Sequence, residues 1–572
     1  MDDFSVREIP FSHQGSWFGI SPVVARATYA DDLHLVSHRH GMHAVLRLIP
    51  VLAGVRVPTE VSANPAVLTW SARRGRVMAA FESPSSLRIL GHGLGLRIAA
   101  VDAALTPFTG TYLFHDPVTS SHVFTSYETG HRYRITVLSG HIHAVGASAL
   151  GSAERAITIG EDGDGWELVL EELTTAQKPF PSRARFSDVV AAARQAFAEF
   201  TDAIAPWRGD RTPAAELACY VLWSAAVNPS GFIRRPAVLM SKHWMDKIWS
   251  WDHCFNALAL APGAPELAWD QLQVVFDHQT DEGALPDSIT HAEILHNYVK
   301  PPIHGWAISK LRQRLPHGLP TAELPRLYHQ LAAWTTFWLD HRRAPGQAFP
   351  HYEHGNDSGW DNATVFDHQR PTQSPDLAAF LVLQMRELAR LAQEIGDPPA
   401  ATRWTRQADP MRAAMLRHLW DGSRFTSRTI DGTRRSTASL LDLMPIVLGH
   451  ELPAPVHTTI IADLAGHLTS VGLATERPDS PHYQADGYWR GPVWAPATIL
   501  IEDGLRRAGA AELADQISTR FRATCEKSGF AENFDALTGQ GLRDRAYTWT
   551  ASAYLLLAAD AETRRAHPGQ GP

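Results

Sequence analysis

The hydrophobic period of this chain changes once, near residue 185, and that change limits the folds open to it. Upstream, runs rich in Val, Ile and Leu lie between glycines: AVLRLIPVLAGVRV (44–57), SLRILGHGLGLRIAAVD (86–102) and YRITVLSGHIHAVGA (133–147). They read as strands separated by turns. RAITIGEDGDGWELVLEEL (155–173) reads as strand, turn, strand. EDGDG lacks the ligand spacing of a calcium loop, so a plain hairpin turn is expected there. Downstream, apolar residues recur at helical spacing, beginning with FSDVVAAARQAFAEFTDAI (186–204). The stretch 374–396 carries a full set of helix signals. Ser374 can cap, Pro375 suits the first helical position, and Asp376 complements the dipole. Leu377, Leu381, Leu388, Leu391 and Ile395 form an apolar stripe, and Gly396 ends it. Similar patterns predict helices near 213–227, 251–262, 266–278, 303–314, 322–342, 400–419, 437–448, 455–467, 491–508, 510–527 and 546–559. No repeat marks a solenoid. A β-rich domain over 1–185 and a helical domain over 186–572 are therefore expected. The helical part is either a closed toroid of helix pairs or an irregular bundle.

Composition narrows the function classes. Mean hydropathy is −0.18, and no run approaches the ~18 apolar residues of a membrane span. The start, MDDFSVREIPF, lacks the basic and apolar regions of a secretory signal. Cys219, Cys254 and Cys525 have neither metal-ligand spacing nor the density of a disulfide scaffold, which fits a cytoplasmic protein. Net charge is −8 with no basic block, which argues against nucleic acid or a membrane surface as partner. The 18 Trp are often adjacent to Asp, Asn, His or Gly. Some are core residues, but Trp among polar groups is also how proteins stack the C–H faces of sugars.

Loop-like stretches concentrate Trp, His and acids: SKHWMDKIWSWDHCFNALAL (241–260), DEGALPDSI (281–289), KPPIHGWA (300–307), PHYEHGNDSGWDNATVFDH (350–368), QADGYWRGPVWAP (484–496) and GFAENFDALTGQGLRDRAYTWTASAYLLL (529–557). None contains a nucleophile elbow, a P-loop, a zinc-protease helix or a dinucleotide fingerprint. The 29 His offer no pair at helical metal spacing with a carboxylate partner, so neither metal nor cofactor is expected. What remains is acids among Trp and Gly, the chemistry that glycosidic cleavage needs: one carboxyl donates a proton, the other activates water or attacks carbon. Asp361, between Trp360 and Asn362, has the setting for a raised pKa, although Asp357 and Asp361 also read as turn or cap residues around Gly355 and Gly359. Glu532 lies in the apolar run Phe530-Ala531-Glu532-Asn533-Phe534 and is either a functional acid or a loop acid paired with Arg543 or Arg545. Trp251, Trp489 and Trp494 read as sugar walls or as core, while Arg490 is harder to explain as packing.

Over roughly 187–560 the sequence resembles glycoside hydrolase family 63, the group that holds the processing α-glucosidase of N-glycan trimming together with bacterial α-glucosidases and mannosylglycerate hydrolases. Trehalases share the wider clan. DSGWDNATVF (357–366) is similar to the family's acid-bearing loop, GYWRGPVW (487–494) to its sugar-pocket motif, and FAENFDALTGQG (530–541) with YTWTAS (547–552) to its base-bearing segment. WSWDHCF (249–255) stands upstream in the expected order. The resemblance implies a mainly α fold, an (α/α)6-barrel catalytic domain preceded by an N-terminal β-sandwich. It implies an inverting, exo-acting hydrolase of an α-glycosidic bond with Asp361 as general acid and Glu532 as general base. Trp251, Asp252, Asp357, Trp360, Tyr488, Trp489, Arg490 and Trp494 become walls or hydroxyl contacts of the pocket. Asp357 departs from the pattern, standing where many relatives carry Glu. Glucose is the sugar expected, because the pocket motif takes the glucosidase-like form. The implied partner is a carbohydrate, and a homo-oligomer is compatible with the sequence. A phosphorylase on the same toroid would replace the base with a phosphate-binding cluster, and a sugar-binding protein without catalysis would not need both Asp361 and Glu532.

Overall fold

The computed structural model describes residues 3–23, 32–160, 165–367 and 370–567. The chain forms two compact units. The first comprises Met1–Asp202, Cys219–Asp246 and Thr290–Glu293; the second comprises Ala203–Ala218, Lys247–Ile289 and Ile294–Pro572. Strands give way to helix at Phe186, where the period changes, yet the first helix, α1 (Phe186–Ile204), counts with the strands as far as Asp202. The reason is packing. Phe186 and Val189 cluster with Ala80, and Val67, Met78 and Leu90 pack against them.

The first unit holds two antiparallel sheets. One runs Phe18–Ser21, Leu33–Ser37, His43–Leu52, Gly95–Ala100, Ala156–Ile159, Ile142–Val145, with Val55–Arg56 paired to His43–Leu52. The other runs Thr111–Asp116, Ser121–Ser126, Arg132–Ser139, Trp166–Leu173, Ser86–His92, Gly75–Ser83, Leu68–Ala72, Glu60–Ala63. Side chains from both, among them Phe18, Leu46 and Ile98 from one and Trp70, Ile89 and Leu168 from the other, form a single apolar core, as in a β-sandwich. Each such side chain contributes about 1.5–3 kcal/mol on burial. On Ser86–His92, Leu87 and Ile89 face this core while the intervening Arg88 pairs with Glu82 (2.8 Å) and Glu167 (2.5 Å). The hairpin expected over 155–173 is not formed. Ala156–Ile159 pairs within the first sheet and Trp166–Leu173 within the second. Alternation tells which face of a strand is apolar, not which sheet receives it. Four residues of the expected EDGDG turn, 161–164, lie outside the described residues. The same unit buries Lys242, whose Nζ donates to Ser16 O (2.6 Å), Ser12 Oγ (3.1 Å) and Ala226 O (3.2 Å).

After α2 (Ala215–Ala225), the helices of the second unit are α3 (Asp252–Leu260), α4 (Pro265–Phe276), α5 (His304–Arg314), α6 (Leu324–His341), the short α7 (Gly355–Ser358), α8 (Pro375–Glu394), α9 (Pro398–His418), a 3-10 stretch (Leu440–Glu451), α10 (Ala454–Leu464), α11 (Ala495–Arg507), α12 (Ala511–Ser528) and α13 (Thr548–Ala566). α3, α5, α8, the 3-10 stretch, α11 and α13 each pack on the next, and α13 returns to α3. The ring is closed, so the array is a toroid and not an irregular bundle. α4, α6, α9, α10 and α12 lie against ring members. Sequence explains who stands where. On α8 all residues from Pro375 to Val382 are buried, as a ring member requires, whereas α9 buries one stripe, Ala400, Trp404, Ala408, Met411 and Met415. Two local expectations change. Ser374 does not cap α8; its hydroxyl bonds the buried Asp376 carboxyl. The helix expected over 437–448 is 3-10, with Pro445 inside it and Gly449 at φ 55. Among the described residues no helix is long and apolar enough to cross a membrane.

Candidate active site

The loop from His354 to Phe366 is built around Asp357. Its Oδ2 accepts from Glu353 N (2.8 Å), His354 N (3.1 Å) and Arg342 Nη1 (3.1 Å), and its Oδ1 from Val299 N (3.1 Å). Expected as a substrate contact, Asp357 is instead the fastening of the loop, and both of its oxygens are engaged. Gly359, at φ 72, ends α7, and a Cβ there would overlap the Trp251 ring. The chain then folds back until the Asp361 carbonyl lies where a Gly355 side chain would stand. Asp361 thus emerges beside α7 with part of its surface open to solvent.

Its neighbours include three groups from separate segments. Lys300 Nζ lies 3.0 Å from Asp287 Oδ1 and donates to Asn356 O of α7 at 3.0 Å. Asp252 begins α3 and is buried, with one oxygen lacking a hydrogen-bond partner among the described residues. Burial raises the pKa of Asp361; Lys300 pulls it back, and Asp287 pushes it up. Burial pushes Asp252 up to about 8, again against the pull of Lys300. Lys300 itself stays cationic: burial opposes its charge, but Asp361, Asp287 and Asp252 together raise its pKa. Sequence reading named Asp252 but passed over Lys300 and Asp287. A cation in otherwise acidic, aromatic loops was the available signal.

Glu532 is held from behind. Its N–H donates to Asp544 O (2.7 Å), while Trp549 and Thr550 of α13 donate to the carbonyls of Glu532 (3.3 Å) and Ala531 (2.7 Å). Neither carboxyl oxygen has a hydrogen-bond partner among the described residues, although the Tyr488 hydroxyl lies close enough to affect its charge. Burial pushes Glu532 up to about 7; Asp544 and Asp361 add to this, while Arg543 and Tyr488 oppose it. Glu532 and Asp361 therefore share one electrostatic environment. The sequence alternative, a loop acid paired with an arginine, is not what forms. Arg545 donates to Gly541 O (3.0 Å) and Ser528 O (2.9 Å), and Arg543 pairs with Asp486 (2.6 Å) over the Tyr488 ring (4.9 Å).

The tryptophans form a column. Trp489 stacks on Trp494 (4.1 Å, 6°) and meets Trp360 at 4.5 Å, with Trp251 and Trp549 edge-on to one another (5.8 Å). Trp251, Trp360, Trp489 and Trp494 are at most 2% exposed. Read from sequence as sugar walls or as core, they cover one another's faces and supply a low-dielectric floor. Asn362 ties the two loops together: it donates to Gly487 O (3.0 Å) and accepts from Trp489 N (3.0 Å). Arg490, expected as a hydroxyl contact, spends its guanidinium on Asn362 O (2.7 Å) and Asp367. Tyr488, at φ 62, keeps partial exposure. Two enclosed carboxyls with raised proton affinities, facing a tyrosine and a lysine, are equipped to give and take a proton.

The chain's similarities agree with this chemistry. It is 24% identical over 425 residues to a mannosylglycerate hydrolase of Rubrobacter radiotolerans, an alignment that covers 57% of this chain and 93% of the relative. A family 63 mannosylglycerate hydrolase of Thermus thermophilus, solved with glucose, shares the fold at TM-score 0.52 and 23% identity, over 60% of this chain and 99% of that one. A bacterial glucoamylase solved with acarbose shares it over 98% of this chain and 94% of that one, at TM-score 0.63 and 10% identity. The family model of the mannosylglycerate hydrolase MGH1-like glycoside hydrolase domain matches residues 245–550, a span that holds Asp252, Asp287, Lys300, Asp361 and Glu532. That span is more than half of the 572 residues, and the chain belongs to this branch of glycoside hydrolase family 63.

Proposed function

We propose that the chain is an inverting, exo-acting hydrolase that releases one terminal hexose, glucose in the first reading, from a small α-glycoside. One arrangement carries this: Asp361 stands beside α7 with part of its surface open, Glu532 is buried with neither carboxyl oxygen partnered among the described residues, and burial raises the proton affinity of both. In this reading the Asp361 O–H bond breaks as its proton passes to the glycosidic oxygen. The bond from that oxygen to the anomeric carbon breaks, and its electron pair leaves with the aglycone. Glu532 takes a proton from a water whose oxygen bonds the anomeric carbon from the opposite face. Room for that water sets the carboxyl separation at roughly 6.5–9.5 Å. Glu532, pushed up to about 7, keeps an ionised population near neutral pH, with Arg543 and Tyr488 favouring the form the base needs. Asp252, at about 8, carries its proton and can donate to a sugar hydroxyl.

The names of the relatives favour a second reading of the aglycone, in which a mannosyl- or glucosyl-glycerate is cleaved. A panel of α-linked disaccharides, alkyl α-glucosides and both glycosyl-glycerates separates the two, with NMR of the first product formed. β-Hexose from an α-linked substrate is the expected result. The α-anomer appearing first, or turnover that requires inorganic phosphate, overturns the proposal.

A further inference from the structure

We infer that Lys300 is a positioning residue of the acid half of this site: pinned between Asp287 and the Asn356 carbonyl, its ammonium stabilises the carboxylate that remains on Asp361 once that group has given up its proton. The inference rests on Asp361 being the proton donor.

The geometry leads there from two directions. Lys300 reaches α7 through Asn356 O, and the preceding residue of that helix, Gly355, is the one on which the Asp361 carbonyl rests. The adjacent Val299 N–H holds Asp357, the fastening of the same loop. Two consecutive residues thus fix both the loop's anchor and its charge. An ammonium has three donors. One donates to Asn356 O while the Nζ lies 3.0 Å from Asp287 Oδ1 as an ion pair, so the ammonium keeps donor capacity for the charge that appears during reaction. That charge appears only as the proton leaves, so the stabilisation grows toward the transition state. The groups that bear on Asp361 are Lys300, Asp287 and His354, with Asp252, Glu532 and Tyr488 coupled to it in turn. Lys300 and Asp287 act on it in opposite senses.

Opposite senses make the test sharp. The pH dependence of kcat/KM is measured for the full chain, Lys300→Met, Lys300→Arg and Asp287→Asn, with an alkyl and an aryl α-glucoside. The alkyl substrate needs the Asp361 proton and should show an alkaline limb where that proton is lost; the aryl substrate, with its good leaving group, should largely lack it. Lys300→Met should move the limb up by about one pH unit or more, the effect of removing a neighbouring opposite charge, and lower turnover of the alkyl substrate more than of the aryl. Lys300→Arg should leave the limb in place. Asp287→Asn should move it down and remains readable if Lys300→Met does not fold. A limb that stays put in both Lys300→Met and Asp287→Asn, or one equally strong with the aryl substrate, overturns the inference. Near-normal alkyl turnover in Asp361→Asn would instead overturn the assignment of the donor.

Discussion

Among the described residues two lysines are buried, in different units, and they are buried in opposite ways. Lys242 is surrounded by uncharged oxygens, those of Ser12, Ser16 and Ala226. Loss of water lowers its pKa far below that of a free lysine, and only Glu172 pulls the other way. Lys300 is surrounded by Asp361, Asp287 and Asp252, and its pKa is raised despite comparable burial. Hydrogen bonds alone do not keep an ammonium charged away from water; neighbouring carboxylates do. Lys242 is therefore a pin that ties the segment around Ser12 and Ser16 to Ala226, and Lys300 a charge held ready among acids.

The largest effect that bears on this contrast is loss of the acids themselves. Asp361→Asn and Glu532→Gln should each lower turnover by about 10²–10⁴-fold with the melting temperature little changed. A good leaving group should partly rescue the first and not the second. Wild-type turnover in Glu532→Gln would leave Lys300 among acids without purpose. Next comes the floor beneath them. Trp489→Ala should cost about 3–5 kcal/mol in denaturant unfolding, the range for a buried tryptophan. Full stability combined with weakened sugar binding would restore Trp489 as an open wall.

The lysines separate directly in the pH dependence of stability. Burial lowers the pKa of Lys242, so between its folded and unfolded values the unfolded chain binds more protons and stability rises with pH. Against Lys242→Met, the wild type should gain up to about 1.4 kcal/mol per pH unit in the alkaline range below the unfolded lysine value. For Lys300 the folded pKa is raised, so its contribution is complete below the unfolded value and is lost only as pH climbs through the folded one. Wild type and Lys300→Met should diverge only above about pH 8, where Asp252, which Lys300 helps to ionise, loses its proton in the wild type alone. Equal slopes for both variants would erase the distinction. The smallest shift concerns the base. Arg543 favours ionised Glu532, so Arg543→Gln should move the acid limb of kcat/KM, expected near pH 7, upward by a fraction of a unit. Motion downward would mean that Glu532 is not the group read by that limb.

How much of this was written in the chain can be judged residue by residue. The change at Phe186 was legible because period is a local property, and so was the start of α8 at Pro375. Glu532 was conspicuous because an acid is costly in an apolar run. The sheet assignment of Ala156–Ile159 and Trp166–Leu173 was not legible, since both strands alternate correctly and only long-range pairing distinguishes them. Asp357 and Arg490 misled because a polar residue inside a functional motif can serve the loop instead of the ligand, and only its partners reveal which. The tryptophans stayed open between wall and core for a related reason: composition counts rings but cannot say that their faces are turned on one another. Lys300 stayed hidden because its carboxylates, Asp252, Asp287 and Asp361, come from three distant segments.

Closure of the helical ring has a consequence for how the protein is made. The contact that completes it joins α13 to α3, the last ring member off the ribosome to the first. α13 also supplies the Trp549 and Thr550 bonds that grip the segment carrying Glu532. A nascent chain stalled before Thr548 would thus own both carboxyls, the stacked Trp489 and Trp494, and the lysine, yet lack the clasp that aims the base. A chain ending before Thr548 would therefore lack both the closing contact of the ring and the bonds that hold the Glu532 segment.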